Sequence, residues 1–211
     1  MIFKDRQDAG RQLVKELKEF KNKKDTIVVA LPRGGVVLGY EVAKALDAPL
    51  DIVAPRKIGS PENDEFAIGA ITEDGEFITN DETSDIPKDY LKKEIAKQVG
   101  EVERRLKIYR QDLEPRIFKN KTVILVDDGM ATGLTMKAAI KTAKSRGAKQ
   151  IIIAIPVSAR DTLDRVKPMV DKVVCIEAPL FFGAVGEFYE EFSQTPDQEV
   201  IDCLKKAREQ K

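Results

Sequence analysis

The sequence contains no histidine and no tryptophan among its 211 residues. Without imidazole it can form neither a Ser-His-Asp triad nor a histidine-ligated zinc site. Its two cysteines, Cys175 and Cys203, lie too far apart along the chain for a Cys-x-x-Cys motif, and two cysteines provide no disulfide framework. Any chemistry must therefore use carboxylates, hydroxyls, basic side chains, backbone amides or a hard metal ion.

A charge surplus and long apolar runs are also absent. The 36 basic and 36 acidic residues give a formal net charge of zero, whereas a general nucleic-acid binder normally carries a basic surplus. No apolar run approaches the roughly 18 residues that a membrane-spanning helix needs. The first ten residues, MIFKDRQDAG, lack the pattern of a secretion signal. We therefore expect a cytoplasmic protein with neither nucleic acid nor membrane among its partners.

Strand and helix patterns alternate along the chain. Hydrophobic residues make up 42% and charged residues 34%, as in ordinary globular proteins, and the chain is predicted to form one domain, 1–211. Short apolar, β-branched runs predict strands, and apolar residues spaced three or four apart predict helices. The predicted strands are 26–31, 50–54, 122–126, 151–157 and 172–176. The predicted helices are 9–20, one after Gly35, 87–113, 134–145, 159–167 and one after Thr195.

This order predicts an α/β fold, an open, doubly wound, mainly parallel sheet flanked by helices. Residues 58–81 predict a hairpin or mobile segment instead, because two short strand-like runs flank the turn-forming residues Glu73-Asp74-Gly75. In doubly wound sheets, ligands bind beyond the carboxyl ends of the strands. Functional residues are therefore expected where the predicted strands end.

The most informative segment is VILVDDGMATGLT, residues 123–135. A buried strand ends there in two adjacent carboxylates, Asp127 and Asp128, which suit a vicinal diol. Residues 131–135 then offer successive backbone N–H groups and two hydroxyls at a helix N-terminus, which suits a phosphate dianion. Either half alone is more simply a helix cap or a turn, but together they indicate a ribose 5-phosphate group.

Two other phosphate-binding motifs are excluded. Leu134 stands where the lysine of a Walker A loop would be, and no Gly-x-Gly-x-x-Gly follows a strand. Neither a P-loop ATPase nor a dinucleotide-binding enzyme is predicted.

Four apolar residues, two acidic residues, a short loop and Thr-Gly-x-Thr form a pattern that resembles the signature of the type I phosphoribosyltransferases. The resemblance implies that Asp127 and Asp128 hold the ribose hydroxyls of phosphoribosyl pyrophosphate (PRPP). It also implies a magnesium cofactor bound mainly through substrate oxygens, with no dedicated metal site and with the same two aspartates as candidate ligands. The residues that would bind the 5′-phosphate are Met130, Ala131, Thr132, Gly133, Leu134 and Thr135.

Members of this family carry a pyrophosphate-binding loop after the first sheet strand, often with an unusual cis peptide. Pro32, Arg33, Gly34 and Gly35 occupy that place here, with Arg33 as a further catalytic candidate. Taken alone, these four residues fit a plain strand-to-helix turn equally well, but their position after the first strand favours the pyrophosphate-binding loop.

The family also closes a flexible loop over the reacting centre, and residues 57–76 are the candidate here. Arg56 and Lys57 at its hinge are predicted to bind pyrophosphate, or else to be a solvated basic pair.

The family core would cover about residues 22–176. Residues 177–211, with or without the N-terminal helix, would form the small hood lobe that receives the acceptor base. Five aromatic residues lie there, and Phe181 and Phe182 are the candidates for base binding, although such clusters more often belong to a core.

The resemblance thus implies a cytoplasmic pentosyltransferase of nucleotide metabolism, dimeric as is usual in the family. It would use PRPP and Mg²⁺ to transfer ribose 5-phosphate to a nitrogen nucleophile such as a nucleobase. Ala131 replaces the aspartate of the hypoxanthine/guanine enzymes, which disfavours 6-oxopurines. The AVGxFY pattern near residue 189 most resembles the group known as predicted phosphoribosyltransferases.

Two alternatives stay open. The fold could serve a non-catalytic regulator that binds PRPP or a nucleotide. In addition, Arg104, Arg105 and Arg110 on the predicted helix 87–113 could line a phosphate site, contact a dimer partner or face water, the last being usual for a charged helix face.

Overall fold

A five-stranded parallel sheet forms the centre of the molecule. The computed structural model describes residues 2–62, 67–79, 86–111 and 113–209. The strands of the main sheet are β1 (Thr26–Ala30), β2 (Leu50–Ile52), β6 (Thr122–Val126), β7 (Gln150–Val157) and β8 (Lys172–Glu177), in the order β2-β1-β6-β7-β8. All four pairings are parallel. The predicted doubly wound sheet is confirmed.

Successive residues of the central strands enter two separate cores, one on each face of the sheet. On β6, Ile124 and Val126 belong to one core, whereas Val123 and Leu125 belong to the other. The first core is covered by α1 (Arg6–Glu16), α2 (Gly34–Leu46) and α6 (Asp197–Glu209). The second is covered by α4 (Leu134–Ser145) and α5 (Arg160–Val166). Burial on both faces explains why the strands are continuously apolar rather than alternating.

The segment between β2 and β6 forms a second, antiparallel sheet with a helix against it. Its strands are β3 (Arg56–Gly59), β4 (Ala67–Ile71) and β5 (Phe77–Ile78), in that order, and the helix is α3 (Lys88–Arg110). Ile58 and Ile71 pack on Val102 of α3, while Ala70 packs on Leu134 and Ala138 of α4. The predicted hairpin is thus present as β4 and β5, whereas β3 was not predicted, because its sequence RKIG carries no strand pattern.

The predicted loop 57–76 contains much ordered structure. Lys57 to Gly59 lie in β3, and residues 67–71 lie in β4; residues 63–66 of this loop are outside the described residues. The predicted helix 87–113 ends earlier, at Arg110, because Gln111 takes a φ of 48° and Leu113 turns back onto the main core. Within the described part of the chain, no helix is long and apolar enough to cross a membrane.

Buried ion pairs fasten the small sheet to the main one. Glu73, in the turn between β4 and β5, has a side chain only 3% exposed and pairs with Arg146 and, at 3.9 Å, with Arg110. It also accepts a 3.0 Å hydrogen bond from the backbone N–H of Ala54. Arg110 in turn donates to Asp51 of β2 at 3.3 Å and to the carbonyl oxygen of Ile52 at 2.8 Å. The orientation of the small sheet therefore depends on Glu73.

We expect Glu73→Ala to lower the free energy of unfolding by about 3 kcal/mol, because it leaves the partly buried Arg146 without its carboxylate and Arg110 with Asp51 alone. Chemical denaturation measures the change. Asp74→Ala, which removes an exposed carboxylate from the same turn, is the matched control and should cost less than about 0.5 kcal/mol. Equal effects of the two substitutions would show that the buried pairs do not hold the turn.

Candidate functional site

The register between β1 and β6 places two loops side by side at the carboxyl edge of the main sheet. Ala30 is opposite Val126, and the N–H of Leu31 donates to the carbonyl oxygen of Val126 at 2.9 Å. The segment after β1 is the glycine loop, residues 32–35, and the segment after β6 begins with Asp127 and Asp128. Two motifs that lie almost one hundred residues apart in sequence therefore meet.

The glycine loop packs directly against Asp127 and Asp128, the acidic pair. A Cβ atom on Gly34 would lie 1.9 Å from Oδ2 of Asp128, and one on Gly35 would lie 2.8 Å from the carbonyl oxygen of Val126. Any side chain at either position would thus displace the loop from the carboxylates. The peptide bond between Pro32 and Arg33 is cis, as the resemblance implied for this loop.

Arg33 faces the start of α6. Its Nη1 lies 3.7 Å from Oδ1 of Asp197, and the hydroxyl of Tyr109 donates to the same oxygen at 2.7 Å. Burial, followed by the hydrogen bond to Asp197, raises the pKa of Tyr109 to about 12. The sequence did not indicate that Asp197 and Tyr109 would be partners of this loop.

Asp127 and Asp128 are half-buried at the end of β6. The backbone N–H of Asp128 donates to Oδ1 of Asp127 at 2.9 Å. The pKa of Asp127 is raised well above the usual aspartate range, first by burial and second by the negative charge of Asp128. Burial also raises the pKa of Asp128. The pair is thus an unfavourable arrangement in the isolated protein and a ready acceptor of hydroxyl hydrogens.

Arg6, the first residue of α1, is the cationic partner of this pair. Its Nε donates to Oδ2 of Asp128 at 2.8 Å and its Nη1 donates to the carbonyl oxygen of Ser193 at 2.6 Å. Its guanidinium group also lies over the ring of Phe192, 4.0 Å from the centroid. The interaction with Arg6 lowers the pKa of Asp128 against the effect of burial. Arg6 therefore links the acidic pair to the C-terminal segment, the residues from 177 onward that include Phe192 and Ser193.

The C-terminal segment approaches the same edge of the sheet. The hydroxyl of Tyr189 donates to the carbonyl oxygen of Asp128 at 2.6 Å. Phe3 exchanges backbone hydrogen bonds with Phe188 and Glu190, so the N-terminal segment runs alongside residues 188–190. The sequence did not identify Arg6 as a site residue, and it placed Tyr189 only in the aromatic cluster of the hood, since no local motif marks a contact with Asp128 across more than sixty residues.

The loop after the acidic pair is shaped by α5 and the segment before it. The N–H of Met130 donates to the carbonyl oxygen of Val157 at 3.0 Å, and the hydroxyl of Thr162 donates to the carbonyl oxygen of Ala131 at 2.6 Å. Gly133 precedes α4 with a φ of +77°, a conformation that L side chains rarely adopt. The contact with Thr162 fixes the loop where α4 begins.

The six predicted phosphate-binding residues fall into two groups. Ala131 and Thr132 are exposed and Thr135 is half-buried, whereas Gly133 and the side chains of Met130 and Leu134 are buried. Leu134 can therefore contribute only its backbone N–H, and the N–H of Met130 already has an acceptor. The first N–H groups of α4 have no partner within the helix, so they are available to an anion.

A cleft of about 590 Å³ lies between these loops and the small sheet. Pro32 of the glycine loop and Thr135 of α4 line one side, and Arg56 and Lys57 of β3 line another. The sheet thus brings together members of three separately predicted motifs around one cavity with a basic lining.

The predicted base-binding aromatics have different environments. The side chain of Phe181 is 91% exposed, whereas Phe182 stacks on Phe188 with ring centroids 5.6 Å apart. Val185 lies between Phe182 and Phe188 in sequence and packs against Gly129. A Cβ atom added to Gly129 would lie 2.5 Å from a methyl group of Val185. This segment is therefore in contact with the loop that follows the acidic pair.

Comparison with known proteins agrees with this geometry. The model of the phosphoribosyl transferase domain matches residues 3–192. Two sequences from strains of Mycobacterium tuberculosis, both named as phosphoribosyl transferases, are 40% identical over 209 residues, which is 98% of this chain and 47% of theirs. The chain therefore spans about half the length of these relatives.

A solved structure is similar over almost its entire length. The protein TT1426 from Thermus thermophilus superimposes with a TM-score of 0.82 at 36% identity, and the match covers 98% of this chain and 99% of that one. Together with the domain match over 3–192, the sequence identity and the paired loops at the sheet edge show that the chain belongs to the phosphoribosyl transferase family.

Proposed function

We propose that the chain is an enzyme that transfers ribose 5-phosphate from PRPP to a nitrogen nucleophile and releases pyrophosphate. The observation that carries the proposal is the meeting of three groups at one sheet edge: the acidic pair, the N-terminus of α4 and the glycine loop packed against them. The ribose hydroxyls, the 5′-phosphate and the pyrophosphate of PRPP each find matching chemistry there.

Holding the sugar at both ends is the main task of these residues. Asp127 and Asp128 would accept hydrogen bonds from the ribose hydroxyls, while the first N–H groups of α4 and the hydroxyl of Thr135 bind the 5′-phosphate. Fixing the sugar in this way removes much of the entropic barrier to an in-line displacement at C1. The two carboxylates would also stabilise the positive charge that develops on the ribose ring.

The leaving pyrophosphate would meet cationic side chains. Arg56 and Lys57 line the cleft, and the one ion pair that Arg33 forms among the described residues is a 3.7 Å contact with the partly exposed Asp197. Because such pairs contribute little free energy, Arg33 can exchange Asp197 for a phosphate oxygen at small cost. No covalent nucleophile is required in this reaction.

The acidic pair also fits Mg²⁺, because carboxylate oxygens are hard ligands. Among residues 2–62, 67–79, 86–111 and 113–209, no three Asp, Glu or Cys side chains gather around a possible metal position. Substrate oxygens and water would supply the other ligands beside Asp127 and Asp128. Once bound, the ion supplies positive charge that neutralises the diphosphate.

The acceptor is proposed to be a nitrogen heterocycle or amine received next to the C-terminal segment. Phe182, stacked on Phe188, and the exposed Phe181 are the aromatic candidates for contact with it. Ala131 presents a methyl group where an acid would be needed to bind the ring proton of a 6-oxopurine. We therefore expect a different acceptor from hypoxanthine or guanine. A dimer and a cytoplasmic location remain expectations.

Calorimetric titration with PRPP and Mg²⁺ tests the proposal. The wild-type chain should bind PRPP, and Asp127→Asn/Asp128→Asn should weaken that binding at least a hundredfold, because the hydroxyl-accepting carboxylates are gone. A screen for pyrophosphate release across nucleobases then identifies the acceptor. Binding without turnover on any acceptor would favour the regulator, and a wild-type chain that does not bind PRPP would refute the proposal.

The acidic pair should reduce stability in the absence of ligand. Because the pKa of Asp127 is raised in the folded state, the folded chain binds its proton more tightly than the unfolded chain. Stability from this group is then complete below about pH 4, the ordinary aspartate range, and is lost as the pH rises through the folded-state value. We expect Asp127→Asn to be more stable than wild type at pH 7 by about 1 kcal/mol or more, since one pKa unit corresponds to about 1.4 kcal/mol.

Thermal unfolding between pH 4 and pH 8 measures this difference, which should grow with rising pH. Asp164→Asn is the control, because that carboxylate is 73% exposed and should change stability by less than about 0.5 kcal/mol. A wild-type chain as stable as Asp127→Asn at every pH would contradict the unfavourable burial of the pair.

Removal of Arg6 should move the pH dependence of PRPP binding upward. Since Arg6 lowers the pKa of Asp128, Arg6→Gln should keep Asp128 protonated to a higher pH, and the midpoint for binding should rise by about one pH unit. Arg6→Lys should restore part of the shift. Arg11→Gln changes an exposed residue of the same helix and should leave the midpoint in place, as measured by titrations from pH 5 to pH 9.

A further inference from the structure

The helix α3 forms a wall of the cleft that the proposed function did not use. Four residues of this helix line the cavity opposite the glycine loop, namely Glu94, Lys97, Gln98 and Arg105. Together with Arg56 and Lys57 they give the lining four cations and one carboxylate. A cavity of this composition, in a chain whose formal net charge is zero, is suited to a multiply charged anion.

Gln98 holds Arg56 in place on this wall. Nε of Arg56 donates to Oε1 of Gln98 at 3.0 Å, and Nε2 of Gln98 donates to Oε1 of Glu94 at 2.7 Å. Gln98 is itself only 8% exposed. A buried amide that receives a guanidinium N–H from one side and donates on the other fixes the direction of the Arg56 side chain.

Arg56 and Arg105 repel each other. The pKa of Arg56 is lowered, first by burial and second by the positive charge of Arg105. Glu101 offsets part of this repulsion, and an anion bound between the two guanidinium groups would offset more of it. The arrangement indicates a ligand that carries negative charge into the space between them.

The carboxylate nearest to Arg105 is shared with Arg104. Nε of Arg105 donates to Oε1 of Glu101 at 2.7 Å, while Nε and Nη2 of Arg104 donate to Oε2 and Oε1 at 2.7 and 2.9 Å. Two guanidinium groups thus share one charge, and the hydrogen bond from Arg104 followed by that from Arg105 lowers the pKa of Glu101 to about 2. The Nη groups of Arg105 donate to no acceptor among the described residues, and they supply the remaining donors of a planar fork.

We propose that Arg105 and Lys97 of α3 bind the pyrophosphate group of the substrate directly, and that Gln98 is a positioning residue for Arg56. The proposal rests on the proposed function and adds α3 to the leaving-group site. Arg105 would contact phosphate oxygens through its Nη groups while Nε keeps Glu101. Of the three arginines on this helix, Arg110 is structural, because it pairs with Asp51 and Glu73.

The pair Arg105 and Arg104 offers a matched test. Each substitution to Gln removes one positive charge and one partner of Glu101, but only Arg105 lines the cleft. Calorimetry with the full chain would use PRPP, inorganic pyrophosphate and ribose 5-phosphate, each with Mg²⁺. We expect Arg105→Gln to lower the affinity for PRPP and for pyrophosphate at least tenfold, and the affinity for ribose 5-phosphate less than twofold. Arg104→Gln should change the affinity for each of the three ligands less than twofold.

Lys97→Gln provides a second variant that should fold normally, because this side chain is 67% exposed. This variant should lower the affinity for pyrophosphate threefold or more and leave the affinity for ribose 5-phosphate unchanged. Gln98→Leu removes the acceptor of Arg56 and should lower the affinity for pyrophosphate threefold or more, while the affinity for ribose 5-phosphate stays within twofold of wild type.

The outcomes separate the two proposals. A wild-type chain that binds neither PRPP nor pyrophosphate overturns both. A wild-type chain that binds PRPP, together with Arg105→Gln and Lys97→Gln variants that bind pyrophosphate as well as wild type, overturns the role of α3 alone. If Arg104→Gln and Arg105→Gln lost pyrophosphate affinity equally, the effect would come from net charge and not from contact in the cleft. If Arg105→Gln lost as much affinity for ribose 5-phosphate as for pyrophosphate, the effect would not be specific to the leaving group. Either result would also overturn the assignment.

Discussion

The register of β1 against β6 is the constraint on which the site depends. Because the two strands are parallel and end at the same level, the glycine loop and the acidic pair meet in van der Waals contact. Gly34 and Gly35 then permit an approach that a methyl group would prevent. A shift of one residue between these strands would move each side chain to the core on the opposite face of the sheet, so the two cores that hold the sheet together also hold the site together.

The site combines this rigid edge with charges that are incompletely compensated. Asp127 and Asp128 are half-buried beside each other with Arg6 as a cationic partner, and Arg56 and Arg105 line the same cleft. Both arrangements favour a ligand of complementary chemistry, a diol for the carboxylates and a polyanion for the guanidinium groups. A ligand that neutralises these charges would relieve their unfavourable interactions, and the free energy released would add to its binding.

The molecule assembles its site from almost every part of the chain. Arg6 comes from the first helix, Thr162 from α5 and Tyr189 from the C-terminal segment, and all three contact residues 128–131. The small sheet brings Arg56 and Lys57, and Glu73 fastens that sheet to Arg146 and Arg110. The contacts of Arg6 and Tyr189 with Asp128 make both the first helix and the segment around Tyr189 part of the site.

The sequence by itself determined the strands of the main sheet, most of the helices, and the two motifs at the ends of β1 and β6. Those features depend on local propensity, hydrophobic period and short spacing, which a single chain displays. The strand β3, the partners Arg6 and Tyr189, and the division of Arg104, Arg105 and Arg110 into exposed, cleft-lining and structural residues were decided only by tertiary structure. Contacts between segments many residues apart depend on how the elements pack, and helical period places the three arginines on one helix without indicating which neighbour each side chain meets.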